Sequence, residues 1–145
     1  IAAQAYARVI ANDLSRCAAS EGPAVRAEIT GLKSAQGHLF VRIYKARSED
    51  WLKSKRYLAR VDAAPRKGAV IVCIPLPEAG DYAIAAQHDV NGNRETDFAI
   101  DGAGMSNNPQ IKTILGIPRP PSVSQARFRA DGGVTRLTIE VRYRD

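Results

Sequence analysis

Residues 80–97 read GDYAIAAQHDVNGNRETD, and this stretch joins the pattern of a β-strand to a polar loop rich in side-chain oxygens. Tyr82, Ile84 and Ala86 fall on one side of an extended chain, and the intervening residues fall on the other. Because alanine occurs on both sides, the strand is predicted to be covered on both faces. The Gly-Asp pair before it is typical of a turn.

Beyond Gln87, oxygen-bearing side chains recur at alternate positions. Calcium binds six to eight oxygens, and a tight loop can direct alternate side chains at one centre. This pattern indicates a candidate Ca²⁺ site. The predicted metal ligands are Asp89, Asn91, Asn93, Glu95 and Asp97.

This loop begins like an EF-hand loop but departs from it afterwards. Arg94 stands where that loop has glycine, and Ile100 stands where it has a bidentate glutamate. Asn91-Gly92 is also a favoured hairpin-turn pair, and Asp and Asn side chains often bond to their own backbone. A solvated or self-bonded turn is thus the alternative to a cation site.

Composition and charge bound the classes of function. The 145 residues fit a single globular domain, and no apolar run is long enough to span a bilayer. The net charge of +6 is uneven: Lys53 to Lys67 holds six basic residues and one acid, whereas Asp89 to Asp101 holds four acids and one base. The basic segment permits attraction to an anionic cell-envelope component. No nucleic-acid recognition motif accompanies it.

Alternation of apolar and polar residues predicts a mainly β chain. Residues 1–16 carry an apolar stripe at helical spacing and predict an amphipathic helix ahead of a domain at 17–145. A hairpin is predicted across Asp131-Gly132-Gly133, and residues 101–109 are expected to form an irregular loop. Together these patterns indicate an antiparallel β-sandwich of about seven strands with one N-terminal helix. The predicted strands are residues 25–30, 38–44, 57–62, 69–74, 80–87, 126–130 and 136–143.

Cys17 and Cys73 are the only cysteines. An even count fits one disulfide in an exported protein, and two buried thiols are the alternative. The first residues lack a basic start followed by a long apolar core, which is compatible with a signal peptide that has already been removed.

Several segments occur in a familiar order: ITGLKSAQGHLFVRIY at 29–44, LPEAGDYAI at 76–84, HDVNGN at 88–93, MSNN at 105–108 and a last Ala-x-Phe strand at 126–128. This order resembles the exported bacterial family catalogued as domain of unknown function 2141. The resemblance spans about residues 17–143, and HDVNGN is its most specific part. It implies a periplasmic or secreted sandwich of transthyretin-like (prealbumin-like) or carboxypeptidase-regulatory-like type. It also favours a Cys17–Cys73 disulfide, and it implies no activity.

Three functional hypotheses follow. The first is an exported, non-enzymatic binding or structural module that holds Ca²⁺ or a small ligand in the loop from His88 to Asp97. The second is a binder of anionic envelope surfaces through basic faces. The third is a hydrolase using His88, Asp89 and Ser106, although adjacent residues of a strand point to opposite faces and no Gly-x-Ser-x-Gly elbow is present. The candidate ligand-binding residues are His88, Ser106, Asn107 and Asn108.

Overall fold

A computed structural model describes residues 6–92, 101–114 and 117–143. The described chain is mainly β, with two mixed sheets and a separate two-stranded pair. The elements are β1 (Arg8–Ile10), the 3₁₀ helix η1 (Leu14–Cys17), β2 (Ala24–Leu32), β3 (His38–Lys45), β4 (Ala59–Ala63), β5 (Gly68–Pro75), β6 (Gly80–Asp89), β7 (Gly102–Met105), β8 (Lys112–Ile114), β9 (Ile117–Arg119), the helix α1 (Val123–Ala126), β10 (Phe128–Ala130), β11 (Val134–Glu140) and β12 (Arg142–Tyr143).

The larger sheet is built around β3 and β6, which pair antiparallel from His38–Asp89 to Lys45–Tyr82. Its strand order is β1-β4-β3-β6-β7-β12, and β10 also pairs with β6. β7 lies beside the last residues of β6 and β10 beside its first residues, so the two short strands share one edge of β6. The strand predicted at 80–87 is therefore an interior strand.

The smaller sheet has the order β11-β2-β5. β2 pairs antiparallel with β5 and parallel with β11, and β1 pairs parallel with β4. These parallel pairs correct the expectation of a purely antiparallel arrangement. The predicted hairpin is also wrong, because β10 belongs to the larger sheet and β11 to the smaller one. The turn at residues 131–133 thus carries the chain between sheets.

One apolar core is shared by both sheets. Ile29 and Val72 from the smaller sheet belong to the same buried cluster as Leu39, Val61 and Ile84 from the larger one. The outer face of the larger sheet carries a second cluster, so β6 is covered on both faces as its sequence predicted. The buried members of the second cluster are Tyr44, Trp51, Tyr57, Ala83, Met105 and Ala126.

The predicted N-terminal helix is not present in the described residues from Tyr6 onward. Ala7 has a left-handed φ of 60°, and the chain then forms β1 and η1. Val9 and Leu14, which the helical stripe placed on a buried face, are 56% and 51% exposed. Pairing of β1 with β4 provides more stabilisation here than alanine-rich helix propensity, which is a weak preference.

The expected irregular loop after Asp101 begins instead with strand β7. A Cβ atom added to Gly102 would overlap the Tyr143 ring, and one added to Gly104 would overlap the backbone carbonyl of Glu140. Glycine therefore lets β7 approach the end of β11 and the strand β12 closely, a use of glycine within strands that composition alone does not reveal.

Cys17 and Cys73 form a disulfide, with an S–S distance of 2.03 Å and a Cα–Cα distance of 5.9 Å. It joins the end of η1 to the interior of β5. Within the described ranges, we find no helix with the length and apolar character needed to cross a membrane.

Candidate functional site

Two buried acidic residues lie where β6 ends and β7 begins. The last registered pair of the two strands is His88 with Gly102; Asp89 follows His88, and Asp101 precedes Gly102. Asp89 is 0% exposed and Asp101 is 8% exposed. The fold therefore brings two buried acidic residues to the same end of the β6–β7 pair.

The backbone around this carboxylate pair is tightly built. The Val90 N–H donates to Asp101 Oδ1 at 3.1 Å, and the Gly92 N–H donates to the Asp89 carbonyl at 3.3 Å, which closes a turn. Gly37 has a φ of +73°, and a Cβ atom there would overlap the Asp89 carbonyl oxygen. Only glycine fits at such a position, so the turn before β3 packs directly against the end of β6.

Buried carboxylates near one another repel, and burial strengthens the repulsion. A cation or N–H donors can compensate it, and the Val90 N–H is one such donor to Asp101. The connecting sequence adds further acids, since Glu95 and Asp97 accompany the single base Arg94. Carboxylate and amide oxygens are the ligands that hard cations prefer.

The predicted metal ligands divide into two groups. Asp89 and Asn91 lie in the described chain, at the end of β6 and in the turn that follows. Asn93, Glu95 and Asp97 lie outside the described residues. Over the described ranges there is no group of three or more His, Cys, Asp or Glu side chains placed to hold a metal ion.

Asp101 was missing from the predicted ligand set. Its sequence signal was its place in the acidic segment, at the thirteenth position counted from Asp89. Spacing along the chain does not reveal which residues face each other across two strands. The pairing of β6 with β7 and the bond from the Val90 N–H bring Asp101 to the end of β6.

His88 lies on the opposite face of β6 from Asp89 and is fully buried. Its Nε2 atom is 2.7 Å from the Gln36 carbonyl, which can only accept, so Nε2 carries a proton. In the neutral ring, Nδ1 then accepts from the Tyr143 hydroxyl at 2.6 Å, and the Tyr143 oxygen accepts from the Lys33 N–H at 3.1 Å. This arrangement ties β6 to β12 and to the turn after β2.

Ser106 and Asn107 connect β7 to helix α1 and the residue after it. The Ser106 hydroxyl accepts from the Ile84 N–H at 2.9 Å and donates to the Ala126 carbonyl. The Asn107 side chain donates to the carbonyls of Gln125 and Arg127. Together with Asn108, which bonds to the edge of β11, these polar side chains satisfy backbone groups. Their predicted ligand binding stays a prediction.

The hydrolase hypothesis requires Ser106 to meet His88. The Ser106 N–H bonds to Ile84, four residues before His88 on the same strand, which is about 13 Å of strand length. The hydroxyl of Ser106 and the ring of His88 each bond to other groups. This trio is therefore not arranged as a nucleophile with its base.

The basic segment from Lys53 to Lys67 is partly engaged in ion pairs. Arg56 bonds to the buried carboxylate of Asp50, with Nη2–Oδ1 at 2.7 Å. Arg60 bonds to Asp62 at 2.6 Å, and this hydrogen bond raises the pKa of the Arg60 guanidinium. The remaining basic residues are exposed: Lys53, Lys55, Arg66 and Lys67.

Comparison with known proteins places the chain in a family. Residues 27–138 match the model of the family described as "Uncharacterized protein conserved in bacteria (DUF2141)". No curated protein and no solved structure matches the chain. The match contains all of β3, β6 and β7, and therefore both carboxylates of the candidate site. This chain belongs to the bacterial DUF2141 family.

Proposed function

We propose that this protein is an exported, non-enzymatic β-sandwich module of transthyretin-like type that holds a hard cation, Ca²⁺, at the end of β6. The observation that carries this proposal is that two buried carboxylates, Asp89 and Asp101, lie at the same end of the β6–β7 pair. A divalent cation bound by both would be attracted to each of them.

Calcium suits this site better than magnesium does. Calcium accepts six to eight oxygens in flexible geometry, whereas magnesium demands a near-ideal octahedron and gives up water reluctantly. The chain offers amide oxygens at Asn91 and Asn93 and carboxylates at Glu95 and Asp97 between the two aspartates. This mixture of ligands on one loop favours the larger cation.

The proposed role of the cation is to fix the connection between β6 and β7. Binding to the native state alone stabilises that state in proportion to the logarithm of ligand concentration over Kd. The Cys17–Cys73 disulfide supports export, since such bonds persist in oxidising compartments.

The test is a thermal melt of the chelated protein titrated with Ca²⁺, and with Mg²⁺ as the ion control. We expect a rise in Tm selective for Ca²⁺, and its loss in Asp89→Asn and in Asp101→Asn. Asp131→Asn is the matched control, because its side chain is 91% exposed and lies on the turn between the sheets. A flat response, or an equal rise in all three variants, would overturn the proposal.

A further inference from the structure

Two arginines lie side by side on the outer face of the larger sheet. Arg42 of β3 is directly paired with Arg60 of β4. Like charges directly opposite one another destabilise a sheet. A cross-strand arginine pair thus requires compensation from its surroundings.

Part of the compensation comes from aromatic rings. The guanidinium carbon atoms of Arg42 and Arg60 lie 5.4 Å and 5.0 Å from the centroid of Phe40, and that of Arg42 lies 5.7 Å from the centroid of Tyr57. These are cation–π distances. The side chain of Arg60 is only 18% exposed, so the pair is held in a defined geometry against the sheet.

Hydrogen bonding is uneven within the pair. Arg60 uses Nε and Nη2 to hold the Asp62 carboxylate at 2.6 Å and 3.0 Å. Arg42 donates from Nη1 to the neutral Gln87 Oε1 at 3.2 Å. Among the described residues, its Nε and Nη2 atoms have no hydrogen-bond acceptor, and Asp62 is the one carboxylate bonded to either guanidinium.

We infer that Arg42 and Arg60 form a binding site for a phosphate group. The Nε and Nη2 atoms of an arginine present two parallel N–H donors, a fork that matches two oxygens of a phosphate. Arg60 lies one strand away with its Nε and Nη2 atoms held by Asp62, so Arg42 supplies the open fork and Arg60 borders the site. Arg42 lies outside the basic segment from Lys53 to Lys67 and outside the proposed cation site.

The inference is tested by following the Nε–Hε resonance of Arg42 by NMR while inorganic phosphate is added at constant ionic strength. A saturable shift of that resonance is expected. Arg42→Gln should weaken phosphate binding at least tenfold, and Arg42→Lys should also weaken it because lysine lacks the fork. Arg129→Gln is the matched control, since Arg129 is a 63% exposed arginine on β10 and should bind like the wild type.

A second arm uses vesicles of phosphatidylcholine with and without phosphatidic acid. Binding of free phosphate supports a soluble phosphate ester as the ligand, whereas selective vesicle binding without free phosphate binding supports a lipid headgroup. If the wild type binds neither free phosphate nor the vesicles, the inference is overturned. Equal weakening in Arg42→Gln and Arg129→Gln, or wild-type binding by Arg42→Lys, would overturn it as well. The wild-type titration keeps the test decisive even if Arg42→Gln unfolds.

Discussion

Asp50 is a buried carboxylate that organises the segment between β3 and β4. It is 0% exposed and accepts hydrogen bonds from Arg56 Nε at 2.9 Å and from the Tyr6 hydroxyl at 3.4 Å. Asp50→Ala should lower the free energy of unfolding by about 2–3 kcal/mol, because it leaves a partly buried guanidinium without its anion. Urea unfolding measures the change.

Glu49→Gln is the control for Asp50→Ala. Glu49 bonds to Arg47 at 3.0 Å, but its side chain is 63% exposed, and pairs of this kind contribute up to about 1 kcal/mol. Equal losses in the two variants would contradict the assignment of Asp50 as the organising group.

Burial of Tyr44 should make the protein less stable at alkaline pH. It packs edge-on against Trp51 and Tyr57, and burial raises the pKa of its hydroxyl. A raised pKa in the folded state means that the stabilisation is complete below the unfolded pKa of about 10 and is lost as pH rises through the folded value.

We therefore expect the unfolding free energy to fall above about pH 10, and Tyr44→Phe to make that fall shallower. Denaturant unfolding at a series of alkaline pH values checks this. Because burial also raises the pKa of Tyr82, part of the slope should remain in Tyr44→Phe. An unchanged slope would argue against Tyr44.

At the scale of elements, asparagine side chains bond to both edges of the smaller sheet. Asn12 donates to the Ile71 carbonyl and accepts from the Cys73 N–H, both at 2.9 Å. On the opposite edge Asn108 donates to the Thr138 carbonyl and accepts from the Glu140 N–H. Each side-chain amide makes the two hydrogen bonds that a neighbouring strand would make. The bonded backbone groups are then less available to pair with another chain.

Asn12→Ala should cost about 1 kcal/mol and raise hydrogen exchange at the Cys73 amide roughly fivefold, since one net hydrogen bond is lost there. Exchange at the Glu140 amide should change much less. Asn108→Ala should show the reverse selectivity. Equal acceleration at both amides in either variant would indicate general destabilisation instead of edge protection.

Sequence patterns predicted where the strands lie better than which strands pair with one another. Alternation placed Ile84 and Ala86 on one face of β6 and is confirmed by their burial in the core. It carries no information on which strands pair, so the hairpin across residues 131–133 was wrong. Gly102 and Gly104 of β7 were predicted to lie in a loop. Their role is to let β7 approach Tyr143 and Glu140 closely, and this depends on tertiary packing.

The candidate site was predictable only in part for the same reason. Asp89 stands out by its spacing from Asn91, whereas Asp101 comes to the same end of β6 through the pairing of β6 with β7. Alternation within the predicted strand 38–44 puts Arg42 on the opposite face from Val41 and Ile43, but it does not reveal which residue lies beside Arg42 on the next strand. The register of β3 and β4 pairs Arg42 with Arg60.

At the scale of the whole molecule, the disulfide closes a loop with a sequence separation of 56 residues. Such a cross-link restricts the unfolded chain, and the chain-entropy model gives about 4 kcal/mol for this length. The double variant Cys17→Ala with Cys73→Ala should lose about that much stability in urea unfolding. The wild type under reducing conditions should lose a similar amount, and an unchanged midpoint in either experiment would contradict the prediction.

Isothermal titration calorimetry of Ca²⁺ into the chelator-treated protein tests whether Asp89 and Asp101, at the end of β6, hold the proposed divalent cation. We predict a saturable heat with one ion per chain, and its loss in Asp101→Asn. A wild type that gives no saturable heat, or an Asp101→Asn variant that gives the wild-type isotherm, would contradict the proposed site.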